Sequence, residues 1–192
     1  MAEPLSHTAH GDAPLSSAKH PNAGAAPEFD AHKGDVLVGR TVTIDRSRQE
    51  LYAFWRDFSN LPRFMQHIRS VTVSADDRSH WVVEAPAGKT VEWDAQITED
   101  QPGGAIAWKS LEHASVKNSG RVEFADSPEG RGTIVRVTLA YDPPGGTIGK
   151  AIAKLFQQEP KIQARRDLRR FKQLMETGEV STAQPQLAAP RA

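Results

Sequence analysis

Alternating apolar and polar residues dominate the chain between Val71 and Tyr141, in short segments separated by turn-forming sequences such as DDRS, EDQPGG and DSPEGRG. This alternation is typical of antiparallel strands that have one face in the core and the other in water. The spacing predicts a meander of about six strands. The apolar face of that meander comprises Trp81, Val83, Val91, Trp93, Ala95, Ile97, Ile106, Trp108, Val122, Phe124, Val135, Val137, Leu139 and Tyr141.

The segment before the meander predicts one further strand and two short helices. Residues 36–44 (VLVGRTVTI) alternate well enough for a first strand. In DRSRQELYAFWRDF, Asp45 or Ser47 can cap a helix whose apolar residues follow at helical spacing. SNLPRFMQHI then predicts a second helix, with Ser59 or Asn60 as its cap and a proline in its first turn.

The end of the chain predicts a long helix. The segment TIGKAIAKLFQQEPKIQARRDLRRFKQLMET has helical spacing, but its apolar residues form two stripes roughly 150° apart. Pro160 lies between the two stripes, so we expect a kink or break there and a second helical piece that begins near Pro160. Gly178 is well placed to end that piece. Together the elements predict an α+β fold in which the terminal helix covers the apolar face of the sheet.

The two ends of the chain differ from its middle. The first 34 residues are rich in Ala, Pro, Gly, Ser and His and show neither helical nor strand periodicity. We expect a disordered tail over 1–34, one domain over 35–177 and a second disordered tail over 178–192. The histidines of the first tail have spacings that match no defined metal site. No apolar run approaches the length of a membrane helix, so the expected location is the cytoplasm.

Composition excludes several classes of function. Lys plus Arg and Asp plus Glu both total 24, so no net positive charge is available to hold a nucleic-acid backbone, and we expect no nucleic-acid partner. The absence of cysteine excludes disulfides, thiolate metal sites and a cysteine nucleophile. No HExxH, GxSxG, Walker loop or GxGxxG at a strand–helix junction occurs. We therefore expect neither a cofactor nor a metal.

The order of the predicted elements resembles that of the START/polyketide-cyclase-like (birch-pollen-allergen-like) superfamily. The segments LYAFWRDFSNLPRFMQHIRSV and EPKIQARRDLRRFKQLMETGEV are similar, more specifically, to the bacterial cyclase/dehydrase group related to coenzyme Q-binding START proteins. The similarity covers about residues 35 to 180. It implies a helix-grip fold, in which a curved antiparallel sheet of about seven strands wraps around the long C-terminal helix. It also implies a cavity for lipids, polyketides, quinones or sterols.

Five aromatic residues are candidates for the wall of the implied cavity. Trp93 and Trp108 lie on strands in the middle of the predicted sheet, where the cavity of the superfamily lies, and Phe64, Tyr141 and Phe156 could complete the wall. Core packing is the competing interpretation for each of them, because a buried aromatic side chain more often fills a core than touches a ligand.

No set of titratable residues forms a recognisable catalytic arrangement, and we predict no catalytic residue. His67, His80 and His113 are interpreted as ordinary surface histidines. Glu92 and Asp94 alternate with the tryptophan between them, so they are expected to face water. The positions predicted to point inward are almost wholly apolar, which disfavours acid–base chemistry in the cavity.

The terminal helix is basic, with eight Lys or Arg against three acids between Thr147 and Thr177. We expect its arginines to form a solvated outer face, because its apolar residues are needed to cover the sheet. Peripheral contact with a membrane, or with an acidic partner, is the alternative use of that charge.

Three functions remain open on the sequence. The favoured one is noncatalytic binding or carrying of an apolar small molecule, which predicts a mostly apolar pocket of roughly 300 to 1,000 Å³. The second is an enzyme of the polyketide cyclase or dehydratase type, which would need polar groups converging inside the cavity. The third is an interaction module that uses the basic helix.

Overall fold

The computed structural model describes residues 36–85, 88–114, 116–128, 130–142 and 160–180. The predicted tail over 1–34 and the first part of the predicted terminal helix, 147–159, lie outside the described residues. The elements in chain order are β1 (Val36–Ile44), α1 (Arg48–Arg56), a 3-10 helix (Phe58–Arg63), β2 (Ile68–Ala75), β3 (Arg78–Ala85), β4 (Lys89–Gln101), β5 (Ala105–Ser110), β6 (Lys117–Asp126), β7 (Thr133–Asp142) and α2 (Pro160–Thr177).

The strands of the described residues form one curved antiparallel sheet of seven strands in the order β1-β7-β6-β5-β4-β3-β2. This confirms the predicted meander and the predicted first strand, which pairs with the last one. Register shifts interrupt β2 and β4. Such bulges bend a strand and increase its twist, which helps the sheet to curve around its apolar face.

The two short helices follow the predicted order, but the second differs in detail. Ser47 caps α1, and its hydroxyl accepts a hydrogen bond from the Glu50 amide. The second helix is a 3-10 helix rather than an α-helix, and its cap is Asp57 instead of Ser59 or Asn60. The Asp57 carboxylate accepts the Ser59 amide at 3.1 Å, which starts the turn earlier than predicted.

The helix α2 spans Pro160–Thr177, where the second helical piece was predicted, and the predicted break before it falls at the edge of residues outside the described part of the chain. Its buried face consists of Ala164, Asp167, Leu168, Phe171 and Leu174. At the other end Gly178 adopts a φ of 80°, and its amide donates to the Leu174 carbonyl at 2.9 Å. This left-handed cap confirms that Gly178 ends the helix, since residues with a Cβ rarely adopt that conformation.

Aromatic rings fill the core between α1, α2 and the sheet. Trp55 and Phe171 are both fully buried and meet edge to face with ring centroids 5.0 Å apart. Phe64 lies 4.8 Å from Phe171 between ring centroids. Edge-to-face and tilted pairs of this kind add to the free energy gained by burial alone.

The outer face of the sheet, opposite α2, is polar, and several of its charges are paired. Asp94 lies 2.9 Å from Nδ1 of His80, across the β3–β4 pair. The Arg121 guanidinium makes a two-pronged contact with Glu99, at 2.9 and 2.8 Å. Glu123 approaches the same guanidinium at 2.7 Å. The outward orientation predicted for this side of β4 and β6 is confirmed.

Polar contacts fasten the C-terminal part of α2 to the end of β1. Lys172 donates to the Thr43 carbonyl at 2.7 Å, and the Glu176 side chain accepts the Asp45 amide at 2.8 Å. Arg46 donates to the Glu176 carbonyl at 2.9 Å. We call this set the helix clasp. It holds the last turns of α2 against the sheet independently of the apolar core.

Candidate functional site

A cavity of about 90 Å³ lies between the sheet and α2. Its walls are mainly apolar, and the side chains come from β2 to β7, from α1, from the turn before β2 and from α2. The volume is smaller than the roughly 300 to 1,000 Å³ typical of small-molecule pockets, because large aromatic rings occupy much of the space.

Three nearly parallel indole rings form one wall of the cavity. The ring of Trp81 lies 6.0 Å from that of Trp93 and 6.2 Å from that of Trp108, with interplanar angles of 15° and 16°. The ring of Trp108 lies over Gly120, where an added Cβ would come within 2.2 Å of it. Glycine at this position is therefore what allows the ring to lie flat on the neighbouring strand β6.

Two titratable side chains line the mainly apolar cavity. His67 lies in the turn before β2, and Asp167 lies on the buried face of α2. Nδ1 of His67 and Oδ2 of Asp167 are 3.6 Å apart, and the Asp167 side chain is only 8% exposed. The pair is a contact across the cavity, between the turn before β2 and the helix α2.

Burial shifts the pKa values of this pair in opposite directions. It lowers the pKa of His67 to about 4, because the charged imidazolium is disfavoured away from water. It raises the pKa of Asp167 to about 7, and the nearby Arg170 opposes that shift. Near neutral pH, His67 is therefore a neutral imidazole, and Asp167 is close to its titration point.

Four buried nitrogen atoms of cavity-lining residues have no hydrogen-bond partner within the described part of the chain. They are Nε1 of Trp55, Nδ1 of His67, Nε1 of Trp93 and Nδ2 of Asn118. By contrast, Nε1 of the neighbouring Trp81 donates to the Ser79 hydroxyl at 2.9 Å. A buried polar group without a partner costs about 1–3 kcal/mol, so several together in one cavity are unusual for a core that serves stability alone.

The five predicted cavity residues have different positions. Trp93 and Trp108 line the cavity. Phe64 is buried in the aromatic core beside Phe171 and is not among the described lining residues. The side chain of Tyr141 and the whole of Phe156 lie outside the described part of the chain.

The interpretation of His67 as a surface histidine is wrong, because its imidazole lies beneath α2. His80 and His113 do lie on the surface. No local pattern distinguishes His67, since its burial depends on a helix about 100 residues later in the chain. Asp167 and Asn118 did carry a signal. Asp167 shares the spacing of the apolar stripe of α2, and Asn118 continues the inward alternation of Val122 and Phe124.

Three of the four arginines on α2 lie on its solvated outer face, as predicted, and Arg170 does not. Arg165, Arg166 and Arg169 are exposed, whereas Arg170 is partly covered and lies 3.9 Å from Asp167. The apolar face of the helix is buried against the sheet. No helix among the described residues is both long enough and apolar enough to span a membrane. The described residues also contain no group of three or more His, Asp or Glu side chains suited to a metal ion.

The family model for polyketide cyclase/dehydrase and lipid transport matches residues 44–169, from the end of β1 into α2. The chain belongs to this family. The match spans β2 to β7, the short helices and the residues that line the cavity. It also confirms the predicted resemblance at the level of the polyketide cyclase/dehydrase family, and the seven-stranded sheet packed against α2 has the helix-grip architecture expected from that resemblance.

Known relatives of this polyketide cyclase/dehydrase-family chain come from several bacteria. A crystal structure from Deinococcus radiodurans is 46% identical, covers 74% of this chain and 99% of its own, and gives a TM-score of 0.62. An uncharacterized 17.2 kDa protein of Streptomyces lincolnensis is 28% identical over 72% of this chain and 89% of its own length.

A third solved structure shares the fold alone. The Zhui aromatase/cyclase from Streptomyces sp. R1128 is 13% identical, covers 77% of this chain and 99% of its own, and gives a TM-score of 0.58. The helix-grip scaffold is thus common to this chain and an aromatase/cyclase, although their sequences have diverged widely.

Proposed function

We propose that this protein binds an apolar small molecule, of a lipid, quinone or polyketide type, in the cavity between the sheet and α2. The observation that carries the proposal is the cavity itself, whose wall of three parallel indole rings is a surface suited to a flat apolar guest. Membership of a family described by polyketide cyclisation and lipid transport supports the same class of ligand. Binding without intrinsic catalysis is the simplest use of such a cavity.

The proposal is tested by filling the cavity. Ala164 on α2 lines the cavity, so replacing its methyl group with the isobutyl group of leucine occupies part of that space. We expect Ala164→Leu to weaken binding of the neutral fluorescent probe N-phenyl-1-naphthylamine by at least about tenfold. Ala53→Leu, the same substitution at an exposed position of α1, is the matched control and should bind like the wild type.

Native mass spectrometry of the protein purified from its own source, without detergent, complements this test. A stoichiometric apolar molecule, released by organic extraction, would support the proposal and name the ligand class. A protein that carries no such molecule, and whose probe affinity is the same in both leucine variants, would contradict it.

Acid–base catalysis in the same cavity is a second candidate function, favoured by the His67–Asp167 pair. Two neighbouring titratable groups whose pKa values are shifted in opposite directions by their surroundings are a common arrangement for proton transfer. A neutral His67 could accept a proton from a carbon next to a carbonyl group. The alternative of a membrane or protein interaction module through the exposed arginines stays a prediction.

The second candidate is tested with a small ketone. Exchange of the C1 protons of 2-tetralone, which lie between its carbonyl group and its aromatic ring, for deuterium can be followed by proton NMR, and a functional base accelerates it. We expect His67→Gln to lower that rate by about 100-fold or more if the pair is catalytic. A wild-type rate no higher than that of buffer alone would reject catalysis and leave the binding function in place.

A further inference from the structure

The four nitrogen atoms without partners all belong to residues that line one cavity, which bears on the kind of ligand that the cavity takes. They lie on three different parts of the fold, with Trp55 on α1, Trp93 and Asn118 on the sheet and His67 in the turn before β2. All four residues line the same cavity. The described residues contain one other buried side-chain nitrogen of this kind, in Arg121 on the outer face, and it lies beside Glu123.

The indole nitrogens of Trp55 and Trp93 decide the polarity of the site. An indole N–H can only donate a hydrogen bond, whereas an amide or an imidazole can reorient or change tautomer. The two indoles therefore require acceptor atoms, and the amide group of Asn118 adds further donors on the same cavity. Ligand oxygens with free lone pairs meet that requirement, and a purely hydrocarbon ligand does not.

The charge around the cavity narrows the class of ligand further. Asp167 lines the cavity at a position only 8% exposed, so a carboxylate or phosphate ligand would meet a carboxyl group with little water to screen it. A cationic ligand could pair with Asp167, but it would leave the two indole N–H donors without an acceptor. A neutral ligand avoids both conflicts.

We infer that the cavity selects a neutral carbonyl compound with an apolar skeleton, and that the Trp93 indole N–H is a donor to its carbonyl oxygen. This inference rests on the proposed binding function and specifies the ligand that the site takes. Trp55 and Asn118 supply further donors, and the parallel indole rings hold the skeleton. The preference for a carbonyl oxygen then comes from N–H groups that have no other hydrogen-bond partner in the described structure.

The test compares matched small molecules on the full chain. Tetralin, 1-tetralone and the anion of tetralin-1-carboxylic acid share one skeleton and differ in the polar group, and their binding can be measured by competition with N-phenyl-1-naphthylamine. We expect 1-tetralone to bind at least about tenfold more tightly than tetralin, as one hydrogen bond to an otherwise unpaired donor allows. The carboxylate should bind more weakly than the ketone.

Two variants locate the donor. Trp93→Phe removes the unpaired N–H and should lower the affinity for 1-tetralone to that for tetralin, while the affinity for tetralin changes little. Trp81→Phe is the matched control, because its ring lies parallel to that of Trp93 but its N–H is already bound to Ser79. It should keep the preference for the ketone.

The results distinguish failure of the proposed binding function from failure of the inference about the ligand. If no compound binds, the proposed binding function fails and the inference falls with it. If tetralin and 1-tetralone bind equally tightly, the function stands and the inference is wrong, because the donors are then satisfied by water. Equal losses of the ketone preference in both variants would overturn the role of Trp93. If Trp93→Phe does not fold, the comparison of ligands on the wild type decides alone.

Discussion

The two faces of the sheet differ in whether their polar groups have partners. On the outer face, His80 and Asp94 are hydrogen-bonded, and Arg121 is held by Glu99 and Glu123. On the cavity face, buried nitrogens stay without partners in the described part of the chain, and His67 faces Asp167 at more than hydrogen-bonding distance. The same strands carry both faces, so the difference does not come from the backbone.

The cavity face is where the sequence departs from what stability alone would favour. Paired surface groups contribute little to stability but cost little. Buried unpaired groups lower stability, and apolar side chains of similar size would remove that cost. Retaining polar groups on the cavity face is therefore consistent with a binding role, and the following changes test how different the two faces are.

The largest expected effect is on how the free energy of unfolding depends on pH. Relative to the wild type, it should rise with pH in one variant and fall in another. An unfolded Asp has a pKa of about 3.9, so the stability that the raised pKa of Asp167 provides is lost as the pH rises from about 4 to about 7. An unfolded His has a pKa of about 6.5, so the lowered pKa of His67 makes stability rise from about pH 4 to 6.5. The two contributions oppose each other in the wild type.

Removing either partner should expose the contribution of the other. Relative to the wild type, the free energy of unfolding of Asp167→Asn should rise with pH between about 4.5 and 6.5, by up to about 1.4 kcal/mol per pH unit. That of His67→Gln should fall over the same range. Urea unfolding at a series of pH values measures both. Curves that run parallel to the wild type would show that the pair is not buried as described.

An intermediate effect is expected from adding one methyl group to each of two strand glycines. Gly120→Ala should lower the free energy of unfolding by about 1–3 kcal/mol, because its Cβ would overlap the ring of Trp108. Gly39→Ala is the matched control, since nothing lies within 4 Å of its added Cβ, and it should be neutral or slightly stabilising. Thermal unfolding followed by circular dichroism would distinguish them, and equal melting temperatures would contradict the tight packing of Trp108.

The smallest effect concerns the same substitution type on the two faces of β6. Arg121→Leu should cost about 1 kcal/mol, because it leaves Glu99 without its two-pronged partner. Asn118→Leu should be neutral or stabilising by up to about 1 kcal/mol, because it removes a buried amide without a partner. Guanidinium unfolding of both variants measures the difference. A loss in Asn118→Leu as large as that in Arg121→Leu would remove the distinction between the faces.

Much of the fold could be predicted because its signals are local. Alternation identified the strands, and the shift of apolar stripe at Pro160 located the start of α2. The cap of the 3-10 helix was missed by two residues or more, since Asp57, Ser59 and Asn60 are all good caps and only the local geometry chooses between them. Bulges in β2 and β4 leave no clear mark in the sequence.

The site was less predictable than the fold, for a physical reason. Alternation placed Trp93 and Trp108 on the apolar face of mid-sheet strands, and the resemblance to the START/polyketide-cyclase-like superfamily placed the cavity there. His67 could not be found, because its burial is decided by α2, which is distant in sequence. Asp167 could have been noticed as an acid on an apolar stripe. The cavity volume depends on how the rings pack, which no pattern of residue types specifies.

The helix clasp determines how the cavity can change its size. Ala164 lies 12 residues before Glu176, or about 18 Å along the helix axis. A tilt of α2 by about 5° around the clasp would move Ala164 by about 1.6 Å, while the last turn hardly moves. If α2 pivots as a rigid body at the end of β1, a small rotation there makes room for a larger guest beside Asp167.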